Sequence, residues 1–268
     1  MTSKDPFDIS SQKEHSSGDE SKSAITSSCE NQLRAFTEAA EAIVCPTGED
    51  SGFSAPFGSE IRNLEIWASD QALLIPDTEF NDFNLVSNST SEHQVFLRVS
   101  DSRIIKRTLA GVFGQIPCVG ENKLSRKNAN PSEYLKRMAL QLAVFGGDIS
   151  LEGVTISDKP SMVIGQPSGQ PSLVISQKWY EKDGSATNEA IHDFLVREGF
   201  RSVPESYFGW YRPIDRVVIV DAKADNFIKT DAGLVPIDLQ MAIFSEAEMQ
   251  AAGLTGDPDA PVIFVPRS

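Results

Sequence analysis

The chain has 268 residues, a formal net charge of −14 and 40% apolar residues, enough to bury a sizeable core and to form two small lobes around a cleft. No stretch approaches the roughly 20 uninterrupted apolar residues of a membrane span, and no apolar run follows the first charged residues as in a secretory signal; a membrane protein is excluded and a cytoplasmic location expected. The acidic balance also excludes broad attraction to nucleic-acid backbones, and the three cysteines, Cys29, Cys45 and Cys118, lack the paired spacings of a zinc site or a disulfide framework.

Residues 1–29 are rich in Ser, Lys, Glu and Asp with almost nothing to bury, which predicts a disordered tail. An amphipathic helix follows over residues 30–44, with Leu33, Phe36, Ala40 and Val44 on one stripe, Ser28 as its cap and Pro46 as its stop. The Gly-containing stretch GEDSGFSAPFGSE lacks the GK[ST] of a P-loop and reads as a loop. The short apolar runs IRNLEIWAS and ALLI then suit strands.

HQVFLRVSDSRIIKRTL alternates apolar and polar positions around a turn at Ser100, Asp101 and Ser102, giving a hairpin with Lys106 late in its second strand. After a polar loop, NPSEYLKRMALQLAVFG predicts a helix with Pro131 at its start and Gly146 and Gly147 as its stop. Two strands, ISLEGVTI and SLVISQKWY, flank a Gly- and Pro-rich linker, and TNEAIHDFLVREGF is a helix opened by Thr187 or Asn188. The aromatic run YFGWYRP reads as core. Finally, RVVIVDAKADNFIKTDAGLVPIDLQMAIF gives a buried strand ending at Asp221, a loop, a strand near Phe227 to Lys229, a turn at Asp231 to Gly233, and a strand ending at Asp238.

That last stretch carries the chemistry. Phosphoryl transfer needs a positioned nucleophile and cations on the phosphates, and protein kinases meet both needs with an Asp, a nearby Asn and a second Asp. DAKADN at Asp221 to Asn226 has this DxKxxN pattern, and a hairpin brings Asp238 back to it. Asp221 is the candidate proton acceptor, Lys223 the candidate contact to the transferred phosphate, and Asn226 and Asp238 the candidate Mg²⁺ ligands. The bland alternative is that Asp221 and Asn226 cap a turn. Lys106, after two isoleucines, is placed like a strand lysine that holds nucleotide phosphates; Glu133, in the first turn of the long helix, is its candidate acidic partner or a complement to the helix dipole. Trp179, with Tyr180, sits where an adenine ring would meet a hinge, or packs between lobes. His15, His93 and His192 are isolated, and a lone histidine is usually a surface or core residue.

The segments SEHQVFL with IIK, NPSEYLKRMALQLAVFGGDISLEGV, SLVISQKWY, AIHDFLVREGF, VDAKADNFI and GLVPIDLQ, in that order, resemble the polyvalent protein kinase family of phage and conjugative-element proteins and stand-alone bacterial proteins, over about His93 to Phe244. The resemblance implies an α+β, two-lobed, protein-kinase-like fold: an N-terminal extension and lobe over residues 30–176 and a reduced C-terminal lobe with the catalytic loop over residues 177–268. It also implies ATP and Mg²⁺ as cofactors, with Lys106 on the nucleotide phosphates, Asp221 catalytic, Asn226 and Asp238 on metal, and an undetermined hydroxyl-bearing acceptor. SNSTSEHQ has no glycine where a phosphate-covering loop would lie, and LQLAVF stands where an acid is anticipated late in the long helix. Those two departures define the alternative, a pseudokinase-type binding module. A metal-dependent nuclease built on Asp221 and Asp238 is disfavoured by the net charge.

Overall fold

The computed structural model of the chain describes residues 17–44, 56–87, 92–157, 168–203, 206 and 208–254. It is a mixed α+β structure of antiparallel sheets. In chain order the elements are α1 (Ser17–Ile43), α2 (Pro56–Asp70), β1 (Asn84–Ser87), β2 (His93–Arg98), β3 (Arg103–Thr108), β4 (Gln115–Gly120), β5 (Lys123–Asn128), α3 (Pro131–Phe145), β6 (Ile149–Ile156), β7 (Pro171–Lys178), α4 (Asn188–Arg197), β8 (Arg201–Ser202), β9 (Trp210–Arg212), β10 (Val217–Val220), β11 (Phe227–Thr230), β12 (Gly233–Pro236), β13 (Gln240–Ile243) and α5 (Glu246–Ala251). Among the described residues, no helix is long and apolar enough to cross a membrane.

The first sheet has the order β1-β2-β3-β7-β6, and the β2–β3 hairpin pairs Val95 with Lys106. Helices α1, α2 and α3 cover it through one apolar cluster that includes Phe36, Ile43, Leu64, Leu135, Leu142 and Leu173. A second sheet, β13-β10-β9-β8, lies with the β11–β12 hairpin over a cluster built on Leu195, Phe200, Ile219 and Leu239. Helix α3 serves both: Leu135, Met138 and Leu142 belong to the first cluster, while Leu140, Val144 and Phe145 pack on the second. Its start is fixed locally, because Pro131 opens it and the Glu133 carboxylate accepts from the Asn130 backbone N–H at 2.9 Å.

Several expectations are corrected. Residues 61–69 are helical rather than extended, because Ile61, Leu64 and Ala68 form a buried helical stripe. The segment ALLI forms only an isolated bridge, Leu74 to Val154. Gly153 admits it: a Cβ there would lie 2.1 Å from the Leu73 carbonyl oxygen. Helix α1 begins at Ser17, so residues 17–29 of the expected tail are helical, and Val44 lies exposed past its end while Ile43 is buried. Residues 1–16, Cys45 and residues 48–55 of the glycine-containing stretch are outside the described residues, and Pro56 to Glu60 of that stretch begin α2. The expected polar loop before α3 is the β4–β5 hairpin, with Glu121 and Asn122 both at positive φ in its tight turn.

Candidate functional site

The buried strand β10, VVIV, delivers the chain to Asp221, whose φ of 63° turns it sharply out of the sheet. Left-handed backbone is costly for most residues but tolerated by Asp. A 3-10 turn over Ala224–Asn226 follows, and the Asn226 side-chain N–H₂ donates to the Asp221 backbone oxygen at 2.7 Å and to Asp221 Oδ2 at 3.1 Å. The Asn226 amide nitrogen is thereby committed, and its oxygen is left as the acceptor. The Ile237 N–H in turn donates to the Asn226 backbone oxygen at 3.0 Å. This bond ties the segment before Asp238 to the loop after Asp221.

Lys106 is buried and donates from Nζ to the Ile237 carbonyl at 2.6 Å, spanning 131 residues of sequence. Lys223 Nζ lies 3.2 Å from Asp221 Oδ2. Lys106, Trp179, Asp221, Lys223, Asn226 and Asp238 all line one cleft of about 520 Å³, within the ordinary range for small-molecule and cofactor sites. The structure thus brings together every expected site residue except one. Glu133, the expected partner of Lys106, instead holds the N-terminus of α3 and accepts from Lys127 at 2.6 Å, away from the cleft. Trp179 is 45% exposed at the cleft, and its backbone N–H is committed to the Ser102 carbonyl at 3.2 Å.

What α3 turns towards the cleft is a cation. Arg137, fully buried, donates to Asp238 Oδ1 at 2.6 Å, to Glu92 Oε2 at 2.9 Å and to the Leu239 carbonyl at 2.8 Å. One turn on, Gln141 donates to the Pro236 carbonyl and accepts from the Leu239 N–H. Together they clamp the segment 236–239 from both sides of Asp238. The sequence does contain a signal for this: Tyr134, Arg137 and Gln141 stand at helical spacing on a buried face.

Burial alone would raise the Asp238 carboxyl, but Lys106, Arg137, His93 and Lys223 outweigh it and hold it down at about 2. Burial pushes the Lys106 ammonium below its ordinary range despite the attraction of Asp238. The charged form wins at Asp238 and loses at Lys106 because the cations Lys106, Arg137 and Lys223 all act on Asp238, whereas the attraction of Asp238 and Glu92 for Lys106 is partly offset by Arg137. His93, read as isolated, lies buried with Nδ1 3.9 Å from Asp238 Oδ2 and Nε2 2.9 Å from the Tyr134 hydroxyl. Burial lowers it to about 4, so it is neutral at pH 7.

Glu92, His93 and Asp238 offer ligand atoms within 4.8 Å of one another. Arg137 already pairs with both carboxylates of that trio, so it is a buried ion-pair network. The Asp238 carboxylate and the Asn226 amide oxygen, both lining the cleft, are oxygen donors of the kind a hard cation takes. Gln177 and Gln240, which also line the cleft, each present a buried side-chain oxygen that has no hydrogen-bond donor among the described residues. A ligand carrying N–H or O–H groups would satisfy them. Comparison with protein-family models, curated proteins and solved structures finds no match.

Proposed function

We propose that the chain is an ATP- and Mg²⁺-dependent phosphotransferase with the two-lobed architecture of the protein kinases, as the sequence resemblance to the polyvalent protein kinase family implies. The observation that carries the reading is the convergence of Lys106, Asp221, Lys223, Asn226 and Asp238, from three separate stretches of sequence, on a single cleft. In this reading the first sheet with its helices and the second sheet with its hairpin are the lobes. Lys106 and Lys223 bind phosphate oxygens, and Asn226 and Asp238 hold Mg²⁺, which when bound neutralises charge on the phosphates. Asp221, oriented by Asn226, takes the proton of the acceptor hydroxyl.

The test has two parts. Thermal stabilisation by ATP with Mg²⁺ is expected, and is lost in Asp238→Ala; transfer of radiolabelled γ-phosphate is lost in Asp221→Ala. No stabilisation by ATP with Mg²⁺ in the unaltered chain would end the proposal.

A second reading, a pseudokinase-type binding module, draws on the 2.6 Å Arg137–Asp238 pair. A protein cation there competes with metal for the same carboxylate. Stabilisation by nucleotide without any transfer would favour this reading.

A further inference from the structure

Asp221 faces two cavities. Its Oδ2 is turned to Lys223 and Asn226, both in the large cleft, while its Oδ1 lies 3.7 Å from Arg126 Nη1. Arg126 lines a separate cavity of about 280 Å³, together with Ser125, Ser206, Phe208 and Asp221. The wall is anchored from behind, since Val119 and Leu124 of the β4–β5 hairpin pack on Val218, Phe244 and Met249. The 3.7 Å separation exceeds hydrogen-bond length, and no hydrogen bond engages the Arg126 guanidinium among the described residues. Its forked donors therefore remain available to a planar or tetrahedral anion.

The geometry points to this second cavity as the acceptor subsite for a small hydroxyl compound that carries its own carboxylate or phosphate. The inference rests on the phosphotransferase reading. The acceptor's anionic group docks on Arg126 with the Ser125 and Ser206 hydroxyls, and its hydroxyl reaches past Asp221, the wall common to both cavities, to the edge of the nucleotide cleft. In the transfer step the acceptor oxygen forms a bond to the γ-phosphorus and the bond from that phosphorus to the β–γ bridging oxygen breaks. ADP departs with that electron pair, and the hydroxyl proton passes to the Asp221 carboxylate. The volume of about 280 Å³ suits a compound of a few carbons. Strand β5 carries Lys123, Arg126 and Lys127 in a chain of net charge −14; with Lys127 paired to Glu133, Arg126 is the cation that lines this cavity.

The test uses the full chain labelled with ¹⁵N and titrated with D-glycerate, glycerol 3-phosphate and, as the neutral control, glycerol. Saturable shifts of the Ser125, Arg126 and Ser206 amides are expected with the two anions and not with glycerol. Arg126→Met should weaken the anions at least about tenfold, and Arg126→Lys, which keeps charge without the fork, should fall between. Amides around Lys106 and Ile237 report ATP with Mg²⁺ separately, so failure there with intact anion binding would sink the phosphotransferase reading and not the anion site. The inference is overturned by absence of these shifts, by equal response to glycerol, by Arg126→Met having no effect, or by an acidic peptide binding more tightly than either small anion.

Discussion

Arg137→Met tests the buried network at its centre. Arg137 has no exposed side-chain surface and bridges Glu92 and Asp238, whose side chains are 8% and 27% exposed. Methionine fills similar volume but leaves the two carboxylates without that cation and the Leu239 carbonyl without its donor. Removing one member of a buried ion pair typically costs about 3–5 kcal/mol, chiefly because the remaining charge stays desolvated. Asp238 retains Lys106 nearby and Glu92 retains the Gln240 and Gln115 N–H donors, so the lower end, about 3 kcal/mol, is expected, or roughly 10 °C in Tm. Urea unfolding followed by tryptophan fluorescence measures it. Adding Glu92→Gln to Arg137→Met should restore part of the loss by removing one stranded charge. A loss below about 1 kcal/mol, or no recovery in the double variant, would refute a desolvated network.

Other expectations concern the same neighbourhood and the sheet. His93 has a folded-state value near 4 against an ordinary 6.5; the unfolded chain binds the extra proton between those values, so stability falls as pH drops from 6.5 to 4. The full difference is about 3 kcal/mol, and comparing wild type with His93→Gln over pH 4–7 by urea unfolding should show a shallower dependence in the variant. Lys106→Met removes the largest influence holding Asp238 low, so the Asp238 carboxyl should titrate at higher pH by ¹³C NMR, and the stability tied to its ionisation should be lost earlier on acidification. Gly153→Ala drives a Cβ against the Leu73 carbonyl at a φ of +151° and should cost at least about 2 kcal/mol in denaturant unfolding. Tyr134→Phe takes away the hydroxyl that meets His93 Nε2, with an expected cost of about 1–2 kcal/mol by the same measurement.

The parts of the fold legible in the sequence are those whose pattern is local. The β2–β3 hairpin declares itself by alternation and a turn, α3 by Pro131 and Gly146, and α4 by its Thr187 cap, whose hydroxyl accepts from the Ala190 N–H. The DxKxxN spacing singled out the loop carrying Asp221 and Asn226, and the two side chains do meet there, Asn226 donating to Asp221 Oδ2 at 3.1 Å. Helix α2 was open to misreading because IRNLEIWAS is short, and a short apolar run fits either period. The β4–β5 hairpin was obscured by strands with few apolar residues and by a turn of Glu121 and Asn122 without the usual Gly.

Glu133 and Arg137 show where local reading stops. Both lie on α3, and sequence favours Glu133 as partner of Lys106 by charge alone. Which face of the helix meets β12 and β13 is decided by packing between segments about a hundred residues apart. That packing puts Arg137 and Gln141 inward and leaves Glu133 to the helix start.

Because α3 lends side chains to both apolar clusters, the chain cannot be divided after residue 176 into self-sufficient fragments. The N-terminal piece would bare Leu140, Val144 and Phe145 to water, and the C-terminal piece would lack the floor on which Phe194 and Phe200 stack against Phe145. Co-expressed halves would therefore be expected to find each other through this one helix, or to stay insoluble apart.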